Sequence, residues 1–320
     1  MSLKDTVLQQ LLENKDFYVS GENLAKGRTV SRNAVWKVIQ DLRSEGYVID
    51  ASSKRGYRLT DSDVLSEEEI LSYIDSPYIP EVTVYSSIDS TNNEAKRRAA
   101  IGSKEPQIIL ANAQTGGRGR LGRSFYSPPK SGLYMSVLYR TNASMESTVT
   151  ITTAASVAVA LSIEEMCDKT TSIKWVNDVY IEDKKVCGIL TEALVGLDGG
   201  NENTVIVGIG INITTSQFPD ELNDAATITG KLNGSRNLLA AKIYNKLIKY
   251  AKLPKDKSYM DEYRKRSNLL GKRVVITNDS EKITGLAAGI SDDGGLIFLP
   301  DGCGVSEVLR TSSVSVRLLE

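Results

Sequence analysis

The chain reads Gly116-Gly117-Arg118-Gly119-Arg120-Leu121-Gly122-Arg123 between two apolar, strand-like runs at residues 108–111 and 133–138. Glycines let main-chain N–H groups approach a ligand closely, and arginines carry fixed charge that matches carboxylate and phosphate oxygens. A basic surface loop and an RGG-like nucleic-acid segment are the competing interpretations. RGG tracts occur in low-complexity sequence, whereas this segment lies inside a predicted domain. The setting favours a loop that closes over an anionic intermediate.

The composition is that of an ordinary globular protein, with 41% hydrophobic and 25% charged residues, and the length of 320 residues predicts two or three domains. The net charge of −1 gives no overall attraction to nucleic acid. We expect no secretory signal and no apolar run long enough to span a membrane.

The cysteine and histidine content limits the chemistry. Cys167, Cys187 and Cys303 are odd in number and lack metal-ligand spacing, which indicates a reducing cytoplasm and a role as buried small hydrophobes. The chain contains no histidine, so His-dependent triads and His-ligated metals are excluded. Any reaction must use lysine, arginine, carboxylate, amide or hydroxyl groups.

Residues 1–62 are predicted to form a winged helix-turn-helix. Apolar residues recur at helical spacing in residues 7–12, and Ser20 and Ser31 precede two further helices as N-caps. The third helix presents an apolar face of Val35, Val38, Ile39 and Leu42. A turn at residues 52–56 between two short β segments is typical of a wing.

The basic residues of this region favour DNA as its partner, although winged helices also serve as protein-docking modules. Eight basic residues against three acidic ones leave a local charge of about +5. The basic residues are Lys26, Arg28, Arg32, Lys37, Arg43, Lys54, Arg55 and Arg58, and the acidic ones are Asp41, Glu45 and Asp50. The predicted DNA contacts are Ser31, Arg32, Asn33 and Lys37 on the helix and Lys54 and Arg55 on the wing.

Residues 61–66 resemble a linker, and residues 67–270 alternate strand-like and helix-like segments, which predicts an α/β domain. Helices are predicted at residues 154–166, 238–250 and 259–266. Strands are predicted at 82–85, 108–111, 133–138, 172–175, 178–181, 185–191 and 204–209. Residues 271–320 change to short strands cut by turns at 278–280, 291–295 and 301–302, which is typical of a small β-barrel.

Four further segments surround the glycine–arginine loop: Asp89-Ser90-Thr91-Asn92, residues 173–180, residues 184–192 and residues 207–212. In this order and spacing the five segments resemble the signature segments of the biotin protein ligases. The winged helix resembles the bifunctional members, which also repress the biotin operon. The resemblance covers essentially the whole chain. It implies an α+β catalytic domain with a mixed sheet and a C-terminal SH3-like barrel.

The family reaction implied by this resemblance uses ATP, biotin and Mg²⁺. It forms biotinyl-5′-adenylate and then transfers biotin to a lysine of the biotin carboxyl carrier protein of acetyl-CoA carboxylase. The absence of histidine is compatible with it, because the carboxylate of biotin is already a nucleophile. Adenylation needs positioning and charge stabilisation at the α-phosphate.

The resemblance also implies residue roles. Ser90, Thr91, Asn92 and Gln114 satisfy the ureido ring of biotin. From the residues alone, Ser90-Thr91-Asn92 is more typical of an Asx- or Ser/Thr-turn that caps the following helix, and both roles can hold at once. Arg118, Gly119 and Arg120 fold over the intermediate, and Lys185 bridges the biotin carboxylate and the α-phosphate, while Lys184 lies in solvent. On the nucleotide side the predicted residues are Gly117, Arg123, Phe125, Asn212 and Arg317. Phe125 stands where many relatives have a tryptophan that packs over adenine. For Arg317 the alternative is a surface arginine that has no role in binding.

Asn177 and Asp178 are predicted to reach Mg²⁺, with a tight β-turn as the alternative. The expected partners are the carrier protein, operator DNA of biotin genes and a second copy of the chain when the adenylate is bound, with no membrane partner. Two rivals are a transcription factor that uses a degenerate ligase domain as a biotin sensor, and a lipoate or octanoate transferase. The intact arginines and Lys185 argue against the first rival, and the glycine–arginine loop argues against the second.

Overall fold

The computed structural model describes residues 2–25, 30–60, 63–103, 106–141, 148–194, 203–228, 232, 234–252, 257–278, 281–310 and 314–319. Two compact units are present, Met1–Ile74 with Leu232–Ala241, and Asp75–Lys231 with Lys242–Glu320. Four residues of the predicted basic region and linker, Lys26, Arg28, Asp61 and Ser62, lie outside the described residues, as do Asp279 and Ser280 of a predicted turn.

The first unit is a winged helix-turn-helix, as predicted. Its elements are α1 (Leu3–Glu13), α2 (Gly21–Leu24), α3 (Arg32–Glu45), β1 (Ile49–Ser52), β2 (Gly56–Leu59) and α4 (Glu67–Ser72). Ser20 and Ser31 accept hydrogen bonds from main-chain N–H groups and so act as the N-caps of α2 and α3. The predicted apolar face of α3 is buried in the core of this unit.

Residues 63–66, predicted to be a linker, are anchored by hydrogen bonds. The Asn237 side chain accepts from the Ser66 N–H at 3.0 Å and donates to the Val64 carbonyl at 2.7 Å. Arg236 donates to an Asp63 carboxylate oxygen at 2.6 Å. Because these partners lie more than 170 positions along the chain, composition alone cannot reveal the anchoring. The domain boundaries predicted at residues 62–67 and 270–271 stay predictions.

The second unit is built on a mixed seven-stranded sheet, as predicted. Its strands are β3 (Glu81–Tyr85), β4 (Gln107–Ala111), β5 (Gly132–Thr141), β6 (Thr171–Lys174), β7 (Asp178–Ile181), β8 (Lys184–Leu194) and β9 (Asn203–Asn212). The spatial order is β3-β4-β5-β9-β8-β7-β6. The pair β3–β4 is parallel, and the other described pairs are antiparallel.

Three helices belong wholly to this unit: α5 (Thr91–Ala100), α6 (Thr148–Cys167) and α8 (Ser258–Arg266). The remaining helix, α7 (Arg236–Lys252), begins in the first unit and continues into the second from Lys242. Among the described residues, α6 is long and apolar enough to cross a membrane, which corrects the expectation that no run reaches that length. However, 78% of its apolar window is buried inside the protein, as in the core helix of a globular domain. This helix packs against β6, β7 and β8.

The C-terminal segment forms an antiparallel five-stranded sheet, which confirms the small all-β domain. Its strands are β10 (Arg273–Asn278), β11 (Glu281–Ile290), β12 (Leu296–Pro300), β13 (Glu307–Leu309) and β14 (Ser315–Leu318), in the order β13-β12-β11-β10-β14. Cys167 and Cys187 are buried as expected, whereas Cys303 is exposed in this domain. The expectation that all three cysteines are buried is therefore wrong for Cys303.

Candidate functional site

A cleft of about 900 Å³ opens in the second unit, beside β8, β9, the glycine–arginine loop and the end of β14. The predicted site residues that line it are Ser90, Thr91, Asn92, Gln114, Arg118, Gly119, Arg120, Arg123, Phe125, Asn177, Asp178, Lys185, Asn212 and Arg317. Gly117 is buried in the loop, where its carbonyl accepts a hydrogen bond from the Phe125 N–H at 2.9 Å. Segments far apart in the sequence therefore converge on one cleft.

The charge of the cleft favours an anionic ligand. Six cationic side chains line it, namely Arg118, Arg120, Arg123, Lys174, Lys185 and Arg317. Four carboxylates oppose them, namely Asp178, Asp183, Glu221 and Asp224. A concave surface with this excess of positive charge concentrates anions such as carboxylates and phosphates.

The glycines of the glycine–arginine loop allow a tight turn that residues with side chains would not permit. The Gly119 N–H donates to the Arg123 carbonyl at 2.7 Å, and the Arg123 N–H donates to the Arg120 carbonyl at 3.1 Å. Leu121 and Gly122 have φ of +56° and +72°, the left-handed region that costs Leu121 energy and suits glycine. A Cβ on Gly117 would lie 2.4 Å from the Phe125 carbonyl oxygen, so the loop closes only with glycine there.

Arg120 ties the loop to two other parts of the second unit. Its guanidinium donates to the side-chain oxygen of Asn177 and, at 3.0 Å, to the carbonyl of Val314 beside β14. Burial lowers the pKa of Arg120, although a guanidinium stays charged at neutral pH. Arg118 differs, since it is exposed and donates to the Asn93 side chain at 3.0 Å.

A buried polar network lies at the start of α5. The Gln114 side-chain oxygen accepts from the Thr91 N–H at 2.9 Å, and Ser136 lies 2.8 Å from the Thr91 hydroxyl and 2.6 Å from the Asn92 oxygen. The Asn92 amide donates to Glu192 at 3.0 Å. Ser90 occupies the N-cap position of α5, but its side chain makes no capping hydrogen bond. The hydroxyl of Ser90 therefore does not cap the helix.

Lys185 lies in the cleft with its ammonium 2.8 Å from Asp178. Its main chain is fixed by hydrogen bonds of 2.8 Å to Asp224 and Ala226. The neighbouring Lys184 is exposed, and its ammonium donates to the Asn223 carbonyl at 3.0 Å. The two adjacent lysines thus point to different surroundings, as strand alternation requires.

Phe125 lies over a floor of two glycines. A Cβ on Gly210 would lie 2.5 Å from the Phe125 ring, and one on Gly188 would lie 3.4 Å from both the ring and the Lys185 side chain. Because Gly188 and Gly210 have no side chains, the phenyl ring of Phe125 and the side chain of Lys185 can lie close to the sheet.

The predicted metal ligands are already engaged. The Asn177 oxygen accepts from Arg120, and its amide donates to the Ile189 carbonyl at 2.9 Å. Asp178 is paired with Lys185. Among the described residues no group of three or more Cys, Asp or Glu side chains is placed to hold a metal ion. These two side chains therefore do not form a preformed metal cage.

Lys174, Ser136 and Glu192 lie at the site without having been assigned a role from the sequence. Burial lowers the pKa of Lys174, which lines the cleft near Asp178. Strand alternation places Lys174 on the face opposite the buried Ile173, but it does not distinguish a cleft from a solvated face. The signal for Ser136 is a polar residue inside residues 133–138, which are otherwise apolar.

The predicted DNA-contacting residues lie on the surface of the first unit. Ser31, Arg32, Asn33 and Lys37 at the start of α3, and Lys54 and Arg55 between β1 and β2, are all exposed. The Arg55 guanidinium lies 4.1 Å from the centre of the Tyr18 ring. A cation–π contact of this kind restricts the conformations of the wing arginine.

Three sequence families match this chain: an HTH domain at residues 4–58, the biotin/lipoate A/B protein ligase family at residues 84–212, and the biotin protein ligase C terminal domain at residues 269–315. The bifunctional ligase/repressor BirA of Bacillus subtilis is 33% identical over 93% of this chain and 94% of its own length. The BirA of Escherichia coli is 30% identical over 91% of both chains.

Among solved structures, the biotin protein ligase from Aquifex aeolicus in complex with biotin and ATP is 29% identical, with a TM-score of 0.64. The match covers 75% of this chain and 99% of the Aquifex chain. With two relatives at 30% identity or more over nearly their whole length, the chain belongs to the family of bifunctional biotin protein ligases and repressors.

Proposed function

We propose that the cleft makes biotinyl-5′-adenylate from biotin and ATP and then passes biotin to a lysine of a biotin carboxyl carrier protein. The observation that carries the proposal is the convergence on one cleft of the buried network around Asn92, the cationic loop at Arg120 and the lysine at position 185. These three features offer hydrogen bonds for a neutral ring and charge for two anions.

The network at α5 is the proposed site of the ureido ring. Ser90, Thr91, Asn92 and Gln114 offer hydroxyl, amide and carbonyl groups within a buried region, where each unsatisfied polar group of a ligand costs about 1–3 kcal/mol. A ring that presents both N–H donors and a carbonyl acceptor matches this mixed set.

Replacement of Gly208 by alanine is expected to weaken biotin binding by about 10- to 100-fold, the effect of losing one or two hydrogen bonds. A Cβ on Gly208 would lie 2.1 Å from the Asn92 oxygen, so Asn92 must leave the network. Isothermal titration with biotin measures the change. Gly304→Ala is the matched control, because its new Cβ has open space within 4 Å. Equal biotin affinity of Gly208→Ala and the wild type would contradict the placement of Asn92 at the biotin ring.

Adenylation follows from the charges in the cleft. A biotin carboxylate oxygen attacks the α-phosphorus of ATP, the bond to the β-phosphate breaks, and pyrophosphate leaves. Lys185 offsets the charge between the two reacting anions, and Arg120 and Arg123 hold the phosphates, since fixed cations stabilise charge that develops in the transition state. The carrier lysine nitrogen then attacks the acyl carbon, and AMP leaves with the former carboxylate oxygen.

In this proposal Phe125, which lies above Gly188 and Gly210, supplies a flat surface for adenine. Asn212 and Arg317, which line the same cleft, are the further proposed contacts of the nucleotide. Because Asn177 and Asp178 are engaged with Arg120 and Lys185, Mg²⁺ would be held mainly by the phosphates of ATP, whose charge it would offset. In this account Asn177 and Asp178 position the two cations.

We further propose a cytoplasmic protein that dimerises when the adenylate is bound and then binds operator DNA of biotin genes. The exposed cations at Arg32, Lys37, Lys54 and Arg55 support DNA as the partner. If the glycine–arginine loop is ordered by the bound adenylate before two chains associate, forming the dimer interface costs less entropy. Binding of the adenylate is thereby coupled to dimerisation.

Exchange of labelled pyrophosphate into ATP tests the ligase proposal. We expect exchange that depends on biotin and is not supported by lipoate or octanoate. Exchange with lipoate or octanoate would favour the lipoate or octanoate transferase alternative, and no exchange with any of the three acids would favour a biotin sensor without catalysis.

A further inference from the structure

The outward face of α3 carries a large aromatic side chain among polar and charged neighbours. Trp36 is 52% exposed, whereas Trp175, the second tryptophan of the chain, is 3% exposed and donates from its indole N–H to the Gly294 carbonyl at 2.9 Å. Single exposed hydrophobic residues are common on protein surfaces. The surroundings of Trp36 are what make it informative.

The position of Trp36 on the helix matches that of a base-contacting residue. α3 begins at Arg32, and its buried stripe of Val35, Val38, Ile39 and Leu42 faces the core. The exposed residues Arg32, Asn33, Trp36 and Lys37 occupy the opposite face within the first two turns. In helix-turn-helix proteins the N-terminal residues of the recognition helix contact base edges in the major groove.

The charges around Trp36 favour DNA over an apolar protein partner. Arg32 and Lys37 flank it on the helix, and both are exposed. The wing of the same unit adds Arg55 and Arg58, which pack over the Tyr18 ring at 4.1 and 4.9 Å from its centre. A protein partner that buried this face would have to desolvate several cations, whereas a duplex pairs them with phosphates. An indole has a wide apolar surface and a single donor, so its contact with a base is mainly apolar.

We propose that Trp36 packs against the C5-methyl group of a thymine in the major groove and thereby helps to select the DNA sequence. Among the four bases, thymine alone presents a methyl group in this groove, and apolar side chains recognise it. Arg32 and Lys37 then hold phosphates on either side, which positions the helix without reading sequence. This inference rests on the proposed binding of DNA by the first unit.

The test uses a duplex selected from a random-sequence pool by the full-length protein in the presence of biotin and ATP. Each thymine is replaced in turn by deoxyuridine, which removes only the methyl group. We expect one thymine in each half-site whose replacement weakens binding of the wild type about fourfold, the effect of burying one methyl group. Trp36→Ala should bind the original and the substituted duplex equally.

Two further variants distinguish a contact of Trp36 with a thymine methyl group from a contact that does not depend on the DNA sequence. Trp36→Phe should retain part of the thymine preference, whereas Lys37→Ala should weaken binding to both duplexes equally and reduce the salt dependence. The inference is overturned if no thymine methyl matters, if Trp36→Ala keeps the full deoxyuridine penalty, or if Trp36→Ala loses self-association instead of sequence preference. If the pool yields no duplex, the DNA-binding proposal itself fails, and the inference fails with it.

Discussion

Replacement of Lys185 by alanine is expected to slow biotinyl-adenylate formation by about 10²- to 10³-fold, the usual effect of removing one group that stabilises transition-state charge. The ammonium lies in the cleft, 2.8 Å from Asp178, and its main chain is fixed by two hydrogen bonds of 2.8 Å. A cation held in this way offsets negative charge between two anions most strongly in the transition state, so the rate falls more than the affinity for biotin.

Single-turnover measurement of adenylate formation, together with biotin titration, checks this result. Lys184→Ala is the matched control, because Lys184 is the exposed neighbour whose ammonium contacts only a carbonyl among its described partners. Lys185→Ala supplied with synthetic biotinyl-adenylate should still biotinylate the carrier protein at close to the wild-type rate. An unchanged single-turnover rate with normal biotin binding would show that Lys185 does not assist adenylate formation.

Replacement of Arg120 by glycine is expected to release the adenylate about 10- to 100-fold faster while leaving capture of biotin nearly unchanged. The guanidinium links the loop to Asn177 and to Val314. The expected range corresponds to the net loss of one hydrogen bond from a charged group, about 1.5–3 kcal/mol. Without these links the loop opens more often, and a mixed anhydride that is sensitive to hydrolysis escapes into water.

The release rate of labelled adenylate and the biotinylation of lysines on bystander proteins both measure this effect. Arg310→Gly provides a matched control, since Arg310 is an exposed arginine directly after β13 that pairs with Asp293. If Arg120→Gly retains the adenylate as well as Arg310→Gly does, the loop is not held closed by Arg120.

Local features of the sequence predicted most of the secondary structure. Ser31 caps α3 because its side chain accepts an N–H at the helix start, and the 3.6-residue spacing of Val35, Val38, Ile39 and Leu42 requires one buried face. The strands are predictable from a related pattern, since β4 and β5 lie in the interior of the sheet and are mostly apolar.

Contacts between distant residues could not be predicted from local patterns. The partners of Arg120 lie 57 and 194 positions away, at Asn177 and Val314. In the sequence, Asn177 and Asp178 are possible oxygen ligands of a metal ion. The folded chain shows that their oxygens are paired with the side chains of Arg120 and Lys185. The role of Lys174 cannot be predicted from its strand, because a single lysine in an alternating strand usually marks a solvated face.

Binding of the full-length chain to its selected duplex, measured by gel shift with and without biotin plus ATP, tests the central claim that one chain couples ligation to repression. We predict a shift that requires both small molecules, runs as a dimer on DNA and disappears when excess carrier protein consumes the adenylate. An equal shift without biotin and ATP, or a complex that stays monomeric with the adenylate bound, would contradict the coupling and leave only the ligase.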